Sequence, residues 1–293
     1  MPYRRPILGS LFIVVAGTFV IMPFAVASEY GPPLLRLAVS FLMIAALLPV
    51  ILLAARWIQR RPPGTLSSVE GRLRWRWLLT CLPIAAAAVS ALFAAAWIGG
   101  ELTGGGQAGG DLAGGDLVSL PAFALSMLVL VAVVPLQAAA EEYLMRGWLL
   151  QAVGTWFRRP WVPIVVQALA FAALHGWGTP WGFADLTVFG LVAGYLTVRT
   201  GGLEAAIALH VANNLIGTAL AAAFGDLGVD ETAADMPWQL ALIDVPVLCA
   251  YAAAILWMAR RRRLTTTGSV AATPAPSDPR SVPAVPAGAS HAR

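Results

Sequence analysis

The chain has 293 residues, 59% of them apolar and only 12% charged, where a soluble domain is about one-half apolar and about one-quarter charged. Successive apolar runs of about twenty residues, the length that spans a bilayer, exclude a soluble globular fold and make this a polytopic membrane protein. The formal net charge of +4 is built on arginine alone, and the bilayer, not nucleic acid, is the expected partner of such a chain.

Backbone groups in lipid must be satisfied internally, so the spans are read as helices; the ten-residue alternating segments of a barrel do not occur. The first run, residues 7–27, follows Arg4 and Arg5 and ends Ala25-Val26-Ala27-Ser28, which resembles a signal-peptidase site. Its apolar stretch is longer than a signal peptide carries, so an uncleaved first span is expected, kinked near Pro23. Pro32-Pro33 breaks the chain, and span two covers 34–55. A basic loop follows with Arg56, Arg60, Arg61, Arg72, Arg74 and Arg76, turning at Pro62-Pro63-Gly64. Span three covers 77–98. The glycine-rich stretch 99–115, with Glu101 and Asp111 and followed by Asp116, lacks the Lys of a phosphate-binding loop.

Span four runs from 120 to 153, longer than a bilayer needs, and Pro135 removes one of its backbone hydrogen bonds. Span five is read as 161–175, span six as 183–198 and span seven as 203–224. An acidic loop with Asp226, Asp230, Glu231 and Asp235 precedes span eight, 238–259, which Arg260 to Arg263 close. From Leu264 onward Thr, Ser, Pro and Ala dominate, the composition of a disordered tail. The expected fold class is all-α, a polytopic transmembrane helical bundle of about eight spans. It divides into N-terminal helices with the glycine-rich loop (1–119), a polar-bearing core (120–222), the acidic loop with the last helix (223–263) and the tail (264–293).

With eight spans every arginine cluster falls on one side and every acidic loop on the other. Arginine-rich loops stay cytoplasmic, so both termini are expected in the cytosol and the protein in the plasma membrane. Trp57, Trp77, Trp161, Trp238 and Trp257 lie near span ends, as an interfacial belt requires. Cys81 and Cys249 fall within spans and are read as small buried apolar residues, not a disulfide or metal pair. Arg36 and Asp185 are placed at outer span ends, within reach of the interface. Asp244, close to Pro246, is an intramembrane acid with no assigned role.

Polar residues interrupt the apolar runs at three places, and an ionisable group at membrane depth marks a functional site by default. They are Glu141-Glu142 with Arg146 in span four, His175 in span five, and His210 with Asn214 in span seven. Counting about 1.5 Å per residue puts all of them between the midplane and the arginine-rich side. His210 and Asn214 are i and i+4 and share a helix face. Glu142 and Arg146 are also i and i+4, in the favourable order for an ion pair, while Glu141 points about 100° away. One glutamate is thus neutralised by Arg146 and the other is left to face a cavity.

Cutting an amide requires an activated water. A desolvated carboxylate is a good base, a nearby histidine can hold or share the proton, and His and Asn side chains can stabilise an oxyanion. Glu141, His175, His210 and Asn214 supply these parts. Glu141, His175 and His210 could equally ligate a zinc ion, with water in its open position; the His-Glu-x-x-His helix of soluble zinc proteases is missing, and the residues leave both the metal-free and the zinc reading open.

Glu-Glu-x-x-x-Arg (Glu141, Glu142, Arg146), then Phe-x-x-x-His (Phe171, His175), then His-x-x-x-Asn (His210, Asn214), in that order on separate helices, resembles the CAAX protease and bacteriocin-processing intramembrane protease family, related to type II CAAX prenyl endopeptidases. The resemblance covers residues 120–222, with no departure at the motif positions. It implies a bundle that cleaves a membrane-associated protein or peptide near the cytosolic face. It also implies that Glu141 and His175 activate water, that His210 and Asn214 stabilise the oxyanion, and that Glu142 and Arg146 support them. The flanking spans resemble nothing specific, so neither a particular substrate nor prenyl recognition is implied. Two other functions fit the same residues. Buried acids and histidines also make the proton relays of transporters, although matching inverted repeats are not seen. A non-catalytic immunity or scaffold protein would keep the fold, but the intact motifs argue against decay.

Overall fold

The computed structural model describes residues 4–103, 116–228 and 233–267; most of the glycine-rich stretch with Asp111, the loop acids Asp230 and Glu231, and the tail from residue 268 lie outside the described residues. Eight main helices follow one another: α1 (Arg4–Ala27), α2 (Pro33–Ile58), α3 (Trp75–Thr103), α4 (Leu120–Gly154), α5 (Trp161–Leu174), α6 (Pro180–Thr200), α7 (Glu204–Ala223) and α8 (Trp238–Arg261). Seven are long and apolar enough to cross a membrane, and α5 is shorter. Among the described residues β-pairing is limited to one isolated bridge, Ser68 with Gly202. The chain folds as a multi-pass bundle of antiparallel neighbours.

Prolines punctuate the helices for two reasons. Pro33 and Pro180 occupy first helical turns, where a missing N–H costs nothing. Thr179 caps α6, its Oγ1 accepting from the Gly182 amide at 3.0 Å. Interior prolines bend the ladder instead: α2 is interrupted at Ala46, beside the carbonyl that Pro49 cannot bond. Pro135 is tolerated inside α4, but eight residues further on that helix loosens into a π turn, Tyr143–Leu149.

Helix α7 is the central post, packed against α3, α4 and α6. Its first nine residues, Glu204 to Ala212, are all buried, and the alanines among them let neighbouring backbones come close. Tyr251 of α8 donates to the Ala205 carbonyl at 2.7 Å. The α5–α6 pair is closer still, since a Cβ on Gly190 would lie 2.7 Å from the Ala168 Cα; Gln167 donates across the gap to the Gly190 carbonyl at 2.8 Å. Helix α1 packs on α2 and on Trp148 of α4, whose indole N–H donates to Ser10. The rest of α1 presents exposed apolar side chains such as Phe19, the surface that lipid covers.

The segment 59–74 folds back over the start of α7. Leu203 N–H donates to the Ser67 carbonyl and Val69 N–H to the Gly201 carbonyl, each at 2.9 Å. Arg74 holds the base of this arrangement, its Nε and Nη2 meeting both oxygens of buried Glu204 at 3.0 and 2.7 Å.

Four expectations are corrected. Trp77 is 3% exposed and joins the central core instead of an interfacial belt, whereas Trp57, Trp161, Trp238 and Trp257 are exposed. Asp185 is buried and its side chain is hydrogen-bonded to Asp244: lying in the first turns of α6, it faces α8 and not the interface. Cys249 is exposed on α8, so of the two thiols only Cys81 is buried; both are free. Helix α5 stops at Leu174, with His175 as its C-cap.

Candidate active site

Glu141 and Glu142 close the first α-helical stretch of α4, and the π turn begins at the next residue. A π turn holds an extra residue per turn and often occurs at functional sites. Here Arg146 lies inside it, fully buried, with Nη1 donating to Glu142 Oε1 at 2.9 Å. The guanidinium also lies over the Phe171 ring, 4.5 Å from its centroid, a cation–π contact strengthened by the burial of Arg146. Phe171 in turn packs 4.5 Å from the His175 ring and 5.8 Å from the His210 ring. That aromatic residue holds the basic groups in register.

The two glutamates differ as their 100° separation predicts. Glu142 is 0% exposed and is held between Arg146 and His210 Nδ1, 2.8 Å away. Glu141 is 14% exposed, and its Oε2 has no hydrogen-bond partner. His210 Nε2 stands 3.6 Å and His175 Nε2 4.0 Å from that oxygen. Both separations exceed a direct hydrogen bond and suit one water touching both groups.

Carbonyl and carboxylate oxygens can only accept, and this fixes the ring tautomers. His175 Nδ1 is 2.9 Å from the Phe171 carbonyl, so it carries the proton and its Nε2 offers a lone pair toward Glu141. His210 likewise spends its Nδ1 proton on Glu142, so a donor at Nε2 requires a second proton on that ring.

Asn214 does not touch the acid directly. Its Nδ2 donates to Gln137 Oε1 at 2.9 Å, and Gln137 Nε2 donates to Glu141 Oε1. The amide of Gln137, 3% exposed, therefore relays between the two. Sequence reasoning missed Gln137, although it lies at i−4 from Glu141 on the same face of α4 and interrupts an apolar run. The structure thus brings Glu141, His175 and His210 around one oxygen, sets Glu142 and Arg146 behind them, and connects Asn214 through Gln137.

The site sits deeper in α4 and α5 than in α7. Helix rise places Glu141 about 20 Å from the end of α4 and His175 about 21 Å from the start of α5, but His210 only about 9 Å above the start of α7. They meet because the 59–74 segment roofs α7 and lets it begin inside the protein. A cavity of about 330 Å³ beneath that roof has Arg146 in its wall, with Thr65, Ser67 and Gln151. Among the described residues no group of three or more His, Cys, Asp and Glu side chains is arranged to hold a metal ion.

Residues 120–216 match the family model described as type II CAAX prenyl endopeptidase Rce1-like. The matched segment runs from the first residue of α4 into α7 and contains all seven motif residues. The chain is also 28% identical over 189 residues to the uncharacterized protein YyaK of Bacillus subtilis (strain 168), over 62% of this chain and 60% of that protein. It therefore spans less than two-thirds of that relative's length. No solved structure matches.

Proposed function

We propose, from the match of residues 120–216 to the type II CAAX prenyl endopeptidase Rce1-like family model and the motif residues within it, that the chain is an intramembrane endopeptidase of the CAAX protease and bacteriocin-processing family, acting on a membrane-associated protein or peptide. We place it in the plasma membrane with both termini cytosolic. The observation that carries the reading is the unpartnered Glu141 Oε2 with two imidazole nitrogens at 3.6 and 4.0 Å. A water between them loses a proton to Glu141 as its oxygen attacks the scissile carbonyl carbon, with the His175 Nε2 lone pair holding the water in line. The oxyanion that forms accepts from protonated His210 and from the second N–H of Asn214, groups that act most strongly away from bulk water. Collapse breaks the C–N bond, and the proton held by Glu141 passes to the leaving amine. Glu142 and Arg146 orient His210 and balance its charge.

A zinc ion would have to draw on Glu141, His175 and His210, which are not arranged as a metal-holding group in this structure; if bound there it would polarise the carbonyl or lower the pKa of its water, and no step above is routed through it. The test uses purified wild type, Glu141→Gln and Glu142→Gln on a membrane-anchored peptide library, each with and without chelator. We expect cleavage by wild type and a loss of ~100- to 10,000-fold in Glu141→Gln, the usual worth of a positioned general base, with folded yield unchanged. Glu142→Gln should lower turnover less and folded yield more. No cleavage by folded wild type, or equal loss of folded protein in both variants, would remove the assignment. Loss of wild-type turnover in chelator would assign the metal.

A further inference from the structure

From the arginine-rich end of the bundle we infer that the chain carries a binding site for the phosphodiester headgroup of an anionic phospholipid, between the ends of α6 and α8. A cavity of about 580 Å³ opens there. Arg199 of α6, Arg260 of α8 and Arg263 just beyond it line its upper wall, with Thr266 beside them and no acidic residue in the lining. Among the described residues none of these three arginines is paired with a carboxylate. Arg199 is steered by the Tyr195 ring, 5.8 Å away. Below the cations the wall is Tyr195, Val198, Leu256 and Ala259, a surface for an acyl chain. Three cations above an aliphatic and aromatic slot form the two-part complement of a phospholipid, and basic pockets between helix ends are where such headgroups bind.

The wall is built, not draped. Gly201, at φ +68°, has no room for a Cβ because the Thr266 backbone fills that space. Arg74 Nη1 donates to the Thr265 carbonyl at 3.2 Å. The neighbouring cavity of about 590 Å³ is a useful contrast. Its lining holds four arginines, but Arg74 is committed to Glu204 and Arg72 to Glu70, which leaves Arg76 and Arg262 beside an acidic residue, whereas the α6–α8 cavity has three arginines and no acid.

The test is binding of lipid to the full-length protein in detergent micelles, read by native mass spectrometry and by the unfolding midpoint. Phosphatidylglycerol, phosphatidylcholine and inorganic phosphate are the three probes. The proteins are wild type, the double variant Arg199→Gln/Arg263→Gln and, as a control with the same charge removed elsewhere on this end, Arg158→Gln/Arg159→Gln. Wild type and control should retain phosphatidylglycerol alike, and the cavity variant should bind it roughly thirty-fold more weakly, the effect of two arginines near a headgroup. Phosphatidylcholine and inorganic phosphate should give no comparable retention or shift. Equal weakening in both double variants would show diffuse surface charge and overturn the site. So would equal retention of the two lipids. Displacement of phosphatidylglycerol by millimolar phosphate would assign a free anion and not a lipid.

Discussion

Two buried arginine–glutamate pairs lie in this bundle, and they are finished to different degrees. In Arg74–Glu204 every guanidinium nitrogen donates: to both carboxylate oxygens, to the Thr200 carbonyl and to the Thr265 carbonyl. The Arg74 backbone amide adds a further bond to Glu204 at 2.9 Å. In Arg146–Glu142 one guanidinium bond is made, while Glu142 Oε2, Arg146 Nε and Arg146 Nη2 have no hydrogen-bond partner. Leaving buried polar groups unsatisfied costs about 1–3 kcal/mol each, so the second arrangement persists only if neighbouring packing enforces it. The completed pair is a fastener between the roof segment, α7 and the end of α8. The incomplete pair shares its glutamate with His210 and keeps hydrogen-bonding capacity in reserve beside Glu141 Oε2.

Breaking the fastener should give the largest effect. Arg74→Ala leaves Glu204 as an uncompensated buried charge, which costs about 3–5 kcal/mol. Thermal unfolding in detergent should show that loss, while turnover per folded molecule stays near wild type. A wild-type unfolding midpoint would mean that the roof is held by something else. Next is Asn214→Ala on the opposite side of the comparison. It should lower cleavage of the peptide library ~100- to 1000-fold, the usual worth of one oxyanion donor, with only a small change in unfolding. The smallest of the three is Gln137→Leu, which fills similar volume but drops the amide that holds Glu141. It should lower kcat about 10- to 100-fold, the range for one hydrogen bond to a charged group, with KM unchanged and activity partly restored by Gln137→Asn. Unchanged kcat would show that Glu141 is positioned by α4 alone.

Most of the fold was readable because the length of an apolar run sets the length of a span. Each expected span begins and ends within a few residues of its helix, and the arginine clusters gather at one end as the alternation requires. The motif residues were readable too, since acids and histidines stand out in an oily background. What could not be read was pairing between distant residues. Arg74 looked like one more topology-setting arginine, and its partner lies 130 residues away. Asp244 was visible as an intramembrane acid, but its hydrogen bond to Asp185 depends on how α6 and α8 pack. Trp77 was misplaced because an interfacial belt describes tryptophans as a population, and the inward face of α3 decides this one. The depth of α7 was hidden for the same kind of reason, since no local pattern announces that a loop will cover a helix start.

Helix α5 contains 14 residues, about 21 Å of rise, and stops about 9 Å short of a typical hydrocarbon slab. Lipid tails beside Leu174 and Trp177, which are 69% and 77% exposed, therefore meet irregular backbone where their neighbours still meet helix. A short helix at that corner is accommodated by local thinning of a bilayer. Thinning of the bilayer there would shorten the path from the aqueous phase to His175, along the flank of the protein and with no channel drilled through it.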